Sequence, residues 1–313
     1  MKFNAPSPSF TPPFQAGESA LAHWMIRANV IHRVTDLVGD TWTLRVIDTL
    51  LKEAQRFEAL VQGLGIPRST LSARLRLLIE SGCLERRPVS GASEQIYSLT
   101  TQGRSLLVLL RQMQQWNRRW GVQGLVLGAS AIPNPCGHDA DLHLRCGHCM
   151  GEADPRHMKV LQTHRHPPTP PEPSLKRARV LTPGELDAPL PAEQLMGDRW
   201  TGLILGAAFF RAQRFSDIEQ ALGIATNVLS TRLGRLTRQG LMHRVLEGAS
   251  SERHIYRLTP RGLSYYPVIA AALAWGQQWL APRYDPGWRV LHADCLTWFE
   301  PVFVCSDCGQ PAF

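Results

Sequence analysis

Residues 55–97 recur further along the same chain as 213–256. Arg56-Phe57 returns as Arg214-Phe215, Leu64-Gly65-Ile66 as Leu222-Gly223-Ile224, and Leu71-Ser72 as Leu229-Ser230, all at a shift of 158 residues. Tyr97 returns as Tyr256 at a shift of 159, so one residue was added between Arg86/Arg244 and the tyrosine. The second shift then holds through Trp116/Trp275, Trp120/Trp279, Cys136/Cys295, Cys146/Cys305 and Cys149/Cys308. A repeat of this extent makes the chain two copies of one domain. What one copy does chemically is most of what the protein does.

With 313 residues, 44% of them apolar, each copy is long enough to bury its own core. A net charge of +8 points to a polyanionic partner. No run approaches the ~20 apolar residues of a membrane span, and residues 1–14 lack a secretory signal's apolar segment. A cytoplasmic, nucleoid-associated protein is expected. Disulfides are disfavoured there, and six of the seven cysteines fall in two matched triplets, which argues for metal.

Residues 1–20 are rich in proline and serine and read as a disordered tail. A first folded unit spans 21–121. Its opening helix, 21–38, is broken by Gly39-Asp40, and Asp40 or Thr41 can cap the next, 42–51. A short helix, 57–64, closes at Gly65. Pro67 starts another, 67–81, with Leu71, Leu75, Leu78 and Ile79 on one face. Strands 84–88 and 96–99 form a hairpin, and Thr100 caps a long helix to about residue 120. Three helices, a two-stranded wing and a helix make a winged helix-turn-helix. The predicted fold class is mainly α with small β wings: two tandem winged helix-turn-helix domains, 21–121 and 187–281, each followed by a small zinc-ribbon-like module, 122–153 and 282–313. Residues 154–186 read as a proline-rich linker.

In this arrangement the third helix presents its outer face to the major groove, while the wing reaches the flanking backbone. The candidate DNA-contacting residues of the first recognition helix are Arg68, Ser69, Thr70, Ser72 and Arg76. Those of the second are Thr226, Asn227, Ser230, Thr231 and Arg235. Arg74 and Arg232 lie beside the apolar face, where they suit a phosphate or a neighbouring carboxylate. Arg86, Arg87, Arg244 and Arg253 are the wing candidates.

Several motifs occur in order in both copies: the Gly-Asp-x-Trp opening, the Arg-Phe pair, Leu-Ser-x-Arg-Leu in the recognition helix and Tyr-x-Leu-Thr-x-x-Gly at the close. By these the chain resembles the HxlR family of bacterial winged-helix transcription regulators, over about 29–121 and 187–281. The resemblance implies double-stranded DNA as partner and pairing through the terminal helices. Family members carry a single unit and form homodimers, so here either a homodimer or an intramolecular pseudo-dimer follows. Members that sense electrophiles have a cysteine where this chain has Asn29 and Asp187, so thiol sensing at that position is not implied. Trp116, Trp120, Trp275 and Trp279 either join the two copies or pack within each. Cys83, outside the triplets, suits a small apolar core position.

Each triplet reads Cys-x9-Cys-x2-Cys, a tight thiolate turn with a returning strand, which suits zinc. In the second copy His292, Cys295, Cys305 and Cys308 make a closed set of four. In the first, Cys136, Cys146 and Cys149 lack that histidine, because Pro133 stands in its place. His138 is the nearest fourth ligand, with His143 and His148 as alternatives. The expected cofactor is Zn2+ at two sites. Two other functions remain open on this reading: a metal-responsive regulator, and a protein-interaction scaffold with weak DNA binding. An enzyme is not expected, since the second set is saturated with no open position and no nucleophile–base set stands near the first.

Overall fold

The computed structural model describes residues 31–88, 94–124, 134–162, 189–209, 211–248, 253–280 and 288–312. The expectations for the tail, residues 21–30, Asn29, Pro133, Asp187 and most of the linker fall outside these ranges.

In the first copy α1 (Ile31–Val38) stops at Gly39, and Asp40 caps α2 (Thr41–Lys52) by accepting from the Thr43 amide at 3.1 Å. A short strand, β1 (Gln55–Arg56), leads into α3 (Phe57–Leu64), which Gly65 closes at a left-handed φ of 62°. Then come α4 (Arg68–Glu80) and the wing strands β2 (Leu84–Pro88) and β3 (Gln95–Leu99). β1 joins the wing, giving the antiparallel order β1-β3-β2 with Gln55 opposite Tyr97 and Leu84 opposite Leu99. A strand of two residues has no periodicity to read, so the sequence did not announce it.

The helix expected from Thr100 to about residue 120 comes in two pieces, α5 (Thr101–Arg104) and α6 (Leu107–Arg119). Thr100 caps the first, accepting from the Gly103 amide at 3.2 Å while its hydroxyl donates to the Gly82 carbonyl at 2.7 Å. Gly103 is seated hard against the wing: a Cβ there would lie 2.1 Å from the Cys83 carbonyl oxygen. Gly262 stands equally close, 2.1 Å, to the Leu241 carbonyl. That contact explains the glycine ending both Tyr-x-Leu-Thr-x-x-Gly motifs, and the seated turn separates the two helices. Cys83 itself is buried, as a core position requires.

Beyond α6 lie β4 (Leu142–Cys146) and β5 (Met158–Gln162). β5 lies near the start of the stretch read as linker, between Pro155 and the proline cluster that begins at Pro167. The second copy repeats the plan with α7 (Ala192–Gly197), α8 (Arg199–Phe209), α9 (Phe215–Leu222) and α10 (Thr226–Arg238). Its wing is β6 (Met242–Leu246) and β7 (His254–Leu258), followed by α11 (Pro260–Leu263) and α12 (Tyr266–Trp279). It ends with β8 (Trp288–His292), β9 (Thr297–Trp298) and β10 (Pro301–Cys305). Leu71, Leu75 and Leu78 of α4 are buried, as are Leu229, Leu233 and Leu236 of α10. Each buried leucine is worth about 1.5–3 kcal/mol, enough to fix which face of the helix looks outward.

The copies pack on each other through α1 and α6 of the first and α7 and α12 of the second. The contacts are reciprocal, as in an isologous interface. Near its centre, Gly197 meets its own counterpart: a Cβ on Gly197 would lie 2.4 Å from the Gly39 carbonyl oxygen. Trp116 and Trp120 both donate their indole N–H to Ser264 Oγ of the other copy, at 3.1 and 2.8 Å. Trp275 donates to the Gln102 carbonyl at 3.1 Å. Of the two readings, these tryptophans join the copies. The exchange is not symmetric, because Arg261 lies 5.2 and 5.8 Å from the Trp116 and Trp120 ring centres, and its counterpart Gln102 carries no charge. Gly197→Ala forces these backbones apart and is expected to cost about 1–3 kcal/mol. A thermal melt indistinguishable from wild type would contradict the close packing.

Candidate nucleic-acid interface and metal centre

The strands that follow the two winged units pair with each other. β4 and β10 run antiparallel with Leu144 opposite Phe303, its own counterpart at a shift of 159. The pairing continues in two matching backbone bonds, Gly147 N–H to Glu300 at 2.8 Å and Ser306 N–H to Asp141 at 2.8 Å. Antiparallel pairing sets the end of β4, with its Cys-x2-Cys turn, beside the start of β10. The cysteine that precedes β10 is therefore brought to the turn that follows β4, and the reverse holds at the other end.

Two sets of four ligand atoms result, each with all atoms within 4.8 Å of one another: Cys136, His138, Cys305 and Cys308, and Cys146, Cys149, His292 and Cys295. This corrects the expected grouping. His292 and Cys295 do not close a set with Cys305 and Cys308, and Cys136 does not join Cys146 and Cys149. Each set takes two ligands from each copy. The two groups together contain all eight candidate residues, with His138 as the fourth member of the first; His143 and His148 belong to neither.

The second set is the better defined. His292 is fully buried on β8, which pairs with β5, Met158 opposite His292. Its Nδ1 lies 3.4 Å from Cys149 Sγ and 3.2 Å from Cys295 Sγ, and Cys146 Sγ is 3.9 Å from Cys295 Sγ. Zinc bonds of about 2.3 Å to sulfur and 2.0 Å to nitrogen place tetrahedral ligands about 3.5–3.8 Å apart, so the donor set fits that ion. The Asp294 carboxylate stands 3.5 Å from His292 Nε2, on the side away from the thiols, where a carboxylate orients a ligating imidazole.

Burial pushes the Cys295 thiol up, but hydrogen bonds from Thr297 and His292 outweigh it and bring the group down to about 6. Burial likewise raises Cys305, and the amides of Cys308 and Asp307 bring it down to about 7. Thiolates, the form that binds metal, are favoured at both. The sets differ in their surroundings. Buried Arg111, hydrogen-bonded to Asn134, interacts electrostatically with Cys136 and Cys305, and burial lowers its own pKa. Its counterpart in the second copy is Ala270. The first set therefore has a fixed cation to balance its thiolates.

On the recognition helices, Arg68, Ser69, Ser72 and Arg76 are exposed and Thr70 is half-buried. Arg68 is held by Glu58 at 2.6 Å and lies over the Phe57 ring at 5.3 Å. Thr226, Asn227, Ser230 and Thr231 are exposed on α10, with Thr226 donating to Glu219 at 2.5 Å. Arg86, Arg87, Arg244 and Arg253 are exposed on the wings. Arg235 is corrected as an expected base contact, and for Arg232 the structure favours the neighbouring carboxylate over a phosphate. Arg235 is only 4% exposed and Arg232 only 3%. At the shift of 158, Arg235 aligns with Leu77, on the inner side, and the outward place of Arg76 is taken by Gly234.

Arg74 and Arg232 share a different task. Arg74 pairs with Asp40 at 2.9 Å, and Arg232 with Asp198 at 2.5 Å. The aspartate of Gly-Asp-x-Trp thus locks the arginine of Leu-Ser-x-Arg-Leu in both copies, fixing the recognition helix to the start of the helix that follows the aspartate, α2 or α8. Asp40 and Asp198 were not singled out as partners from sequence. The signal was there, since both motifs recur together.

The profile of the HxlR-like helix-turn-helix family matches residues 37–124 and 195–284, more than half of the chain. An uncharacterized HTH-type transcriptional regulator of Mycobacterium tuberculosis is 38% identical over 119 residues, 38% of this chain and 75% of the relative. The HTH-type transcriptional regulator YvaP of Bacillus subtilis, also uncharacterized, is 32% identical over 94 residues, 30% of this chain and 87% of the relative. The solved reduced form of the transcriptional regulator YodB from B. subtilis is 26% identical, covering 27% of this chain and 85% of that one, with a TM-score of 0.26. Among the described residues no helix is long and apolar enough to cross a membrane. The chain, with two matched regions, belongs to the HxlR-like helix-turn-helix family.

Proposed function

We propose that this chain is a sequence-specific, double-stranded DNA-binding transcription regulator, working in the bacterial cytoplasm, whose two winged units act as one covalent pseudo-dimer. The observation that carries the reading is the reciprocal packing of α1 and α6 on α7 and α12, which joins two units that each keep an outward-facing polar recognition helix. Zinc is the ion that the two Cys/His sets suit, in a structural role, since four protein ligands leave no open position.

Arg68, Ser69, Thr70, Ser72 and Arg76 in one copy, and Thr226, Asn227, Ser230 and Thr231 in the other, contact base edges and nearby phosphates. Arg86, Arg87, Arg244 and Arg253 hold flanking phosphates. Because Arg76 stands where the other helix has Gly234, the two half-sites differ in sequence. Arg76→Ala is expected to relax preference at one half-site by about 1–3 kcal/mol, leaving the other unchanged. Arg86→Ala should weaken all sequences alike and lower the slope of log K against log salt by about one. Binding curves on a site and its half-site variants separate these outcomes. An Arg76→Ala protein with uniform loss across sequences would place that helix off the bases.

A further inference from the structure

The two Cys/His sets are shared between the copies, and the sharing has a mechanical consequence. Cys136 and His138 meet Cys305 and Cys308, while Cys146 and Cys149 meet His292 and Cys295. Neither copy can complete a set alone. The paired strands that carry them are tied to the helical interface. Gln112 of α6 donates to the Leu142 carbonyl at 3.1 Å, and Gln115 accepts from the Leu142 amide at 3.2 Å. β10 also packs on α12, without the glutamine bonds, because Ala271 and Ala274 stand where α6 has Gln112 and Gln115. A displacement at either set therefore reaches α6 and α12, the helices that join the winged units.

We propose that the two sets form an inter-copy metal clasp, in which each ion is held half by one copy and half by the other. The clasp rests on the zinc reading above. The ions then reinforce the helical interface in holding the two units in one arrangement, and metal occupancy tightens the disposition in which both recognition helices meet a duplex. A local ribbon in each copy would stabilise only its own module and leave the pairing unaffected. Here occupancy and pairing are linked, so anything that removes the ions loosens the pair.

The decisive test counts zinc by native mass spectrometry on the full chain with paired substitutions. Wild type is expected to hold two ions, one for each set. Cys136→Ser with Cys308→Ser removes two ligands of a single set, so one ion should remain. Cys136→Ser with Cys146→Ser removes one ligand from each set, so both should be weakened or lost. Grouping within each triplet reverses the two results, and that reversal would overturn the clasp while leaving zinc binding intact. Wild-type protein that takes up no zinc would instead overturn the zinc reading itself. A second measurement avoids dependence on variant folding. A protease site placed within residues 163–188 of the full chain lets the two halves be cut apart. The zinc-loaded halves should stay together on dilution, and chelation should weaken their association at least tenfold. Equal dissociation with and without zinc would overturn the clasp.

Discussion

With Cys146 and Cys305 both replaced by serine, the protein is expected to lose both ions and to melt about 8–20 °C lower than wild type. The two cysteines come from different triplets and serve different sets, and both are buried. Serine is nearly the same size, so little of the effect comes from packing. A structural zinc contributes about 10–16 kcal/mol in small zinc-dependent peptides. Only part of that is lost here, because the helical interface of α1, α6, α7 and α12 persists without metal. A loss of about 4–5 kcal/mol at about 2–4 °C per kcal/mol gives the expected shift. Cys83→Ser is the control. It changes a buried thiol in the same way, costs about 1–3 kcal/mol for burying a hydroxyl, and should leave the zinc content at its wild-type value. A double variant that melts like this control, with zinc retained, would contradict the ligand assignment.

The second large effect is expected at Arg232. Its ion pair with Asp198 is almost fully enclosed, with side-chain exposures of 3% and 17%. The matching pair of the first copy, Arg74 with Asp40, is about one-third exposed on both sides. Removing one partner of a buried pair leaves an uncompensated charge and costs about 3–5 kcal/mol, whereas an accessible pair is worth about 0–1 kcal/mol. Arg232→Ala should therefore destabilise the chain several times more than Arg74→Ala, although both come from the same motif. Denaturant unfolding of the two variants measures the difference. Adding Asp198→Asn to the Arg232 variant should restore part of the loss, because the stranded carboxylate is then neutral. Equal losses at the two arginines would show that burial is not what separates them.

Much of this arrangement was legible in the sequence. The duplication, the winged units and the burial of Leu71, Leu75 and Leu78 follow from repeat and helical period. The glycines of the closing motif were visible as a pattern, though the reason, contact with the Cys83 and Leu241 carbonyls, is tertiary. The eight cysteine and histidine candidates were identifiable by type and spacing, but their grouping was not. Spacing along the chain reports which residues are near in sequence, and the choice between self-pairing and exchange is made by strand partners more than a hundred residues apart. One clue lay in the asymmetry of the histidines, with His138 after its cysteine and His292 before its own. Arg235 was misplaced because the two recognition helices were read separately. Laid on one another at the shift of 158, they put Arg235 on Leu77 and show it facing inward.

The central claim is that two unlike recognition helices, joined in one chain, read DNA together. Selection of duplexes from a random pool by the zinc-loaded full chain at physiological salt addresses it most directly. The expected result is a bipartite motif with two different half-sites at a fixed spacing of about one helical turn or a multiple of it. Recovery of no motif, with binding that disappears as salt rises, would contradict sequence-specific reading. A motif with strict two-fold symmetry would contradict the joint reading, because it would require like helices from two chains.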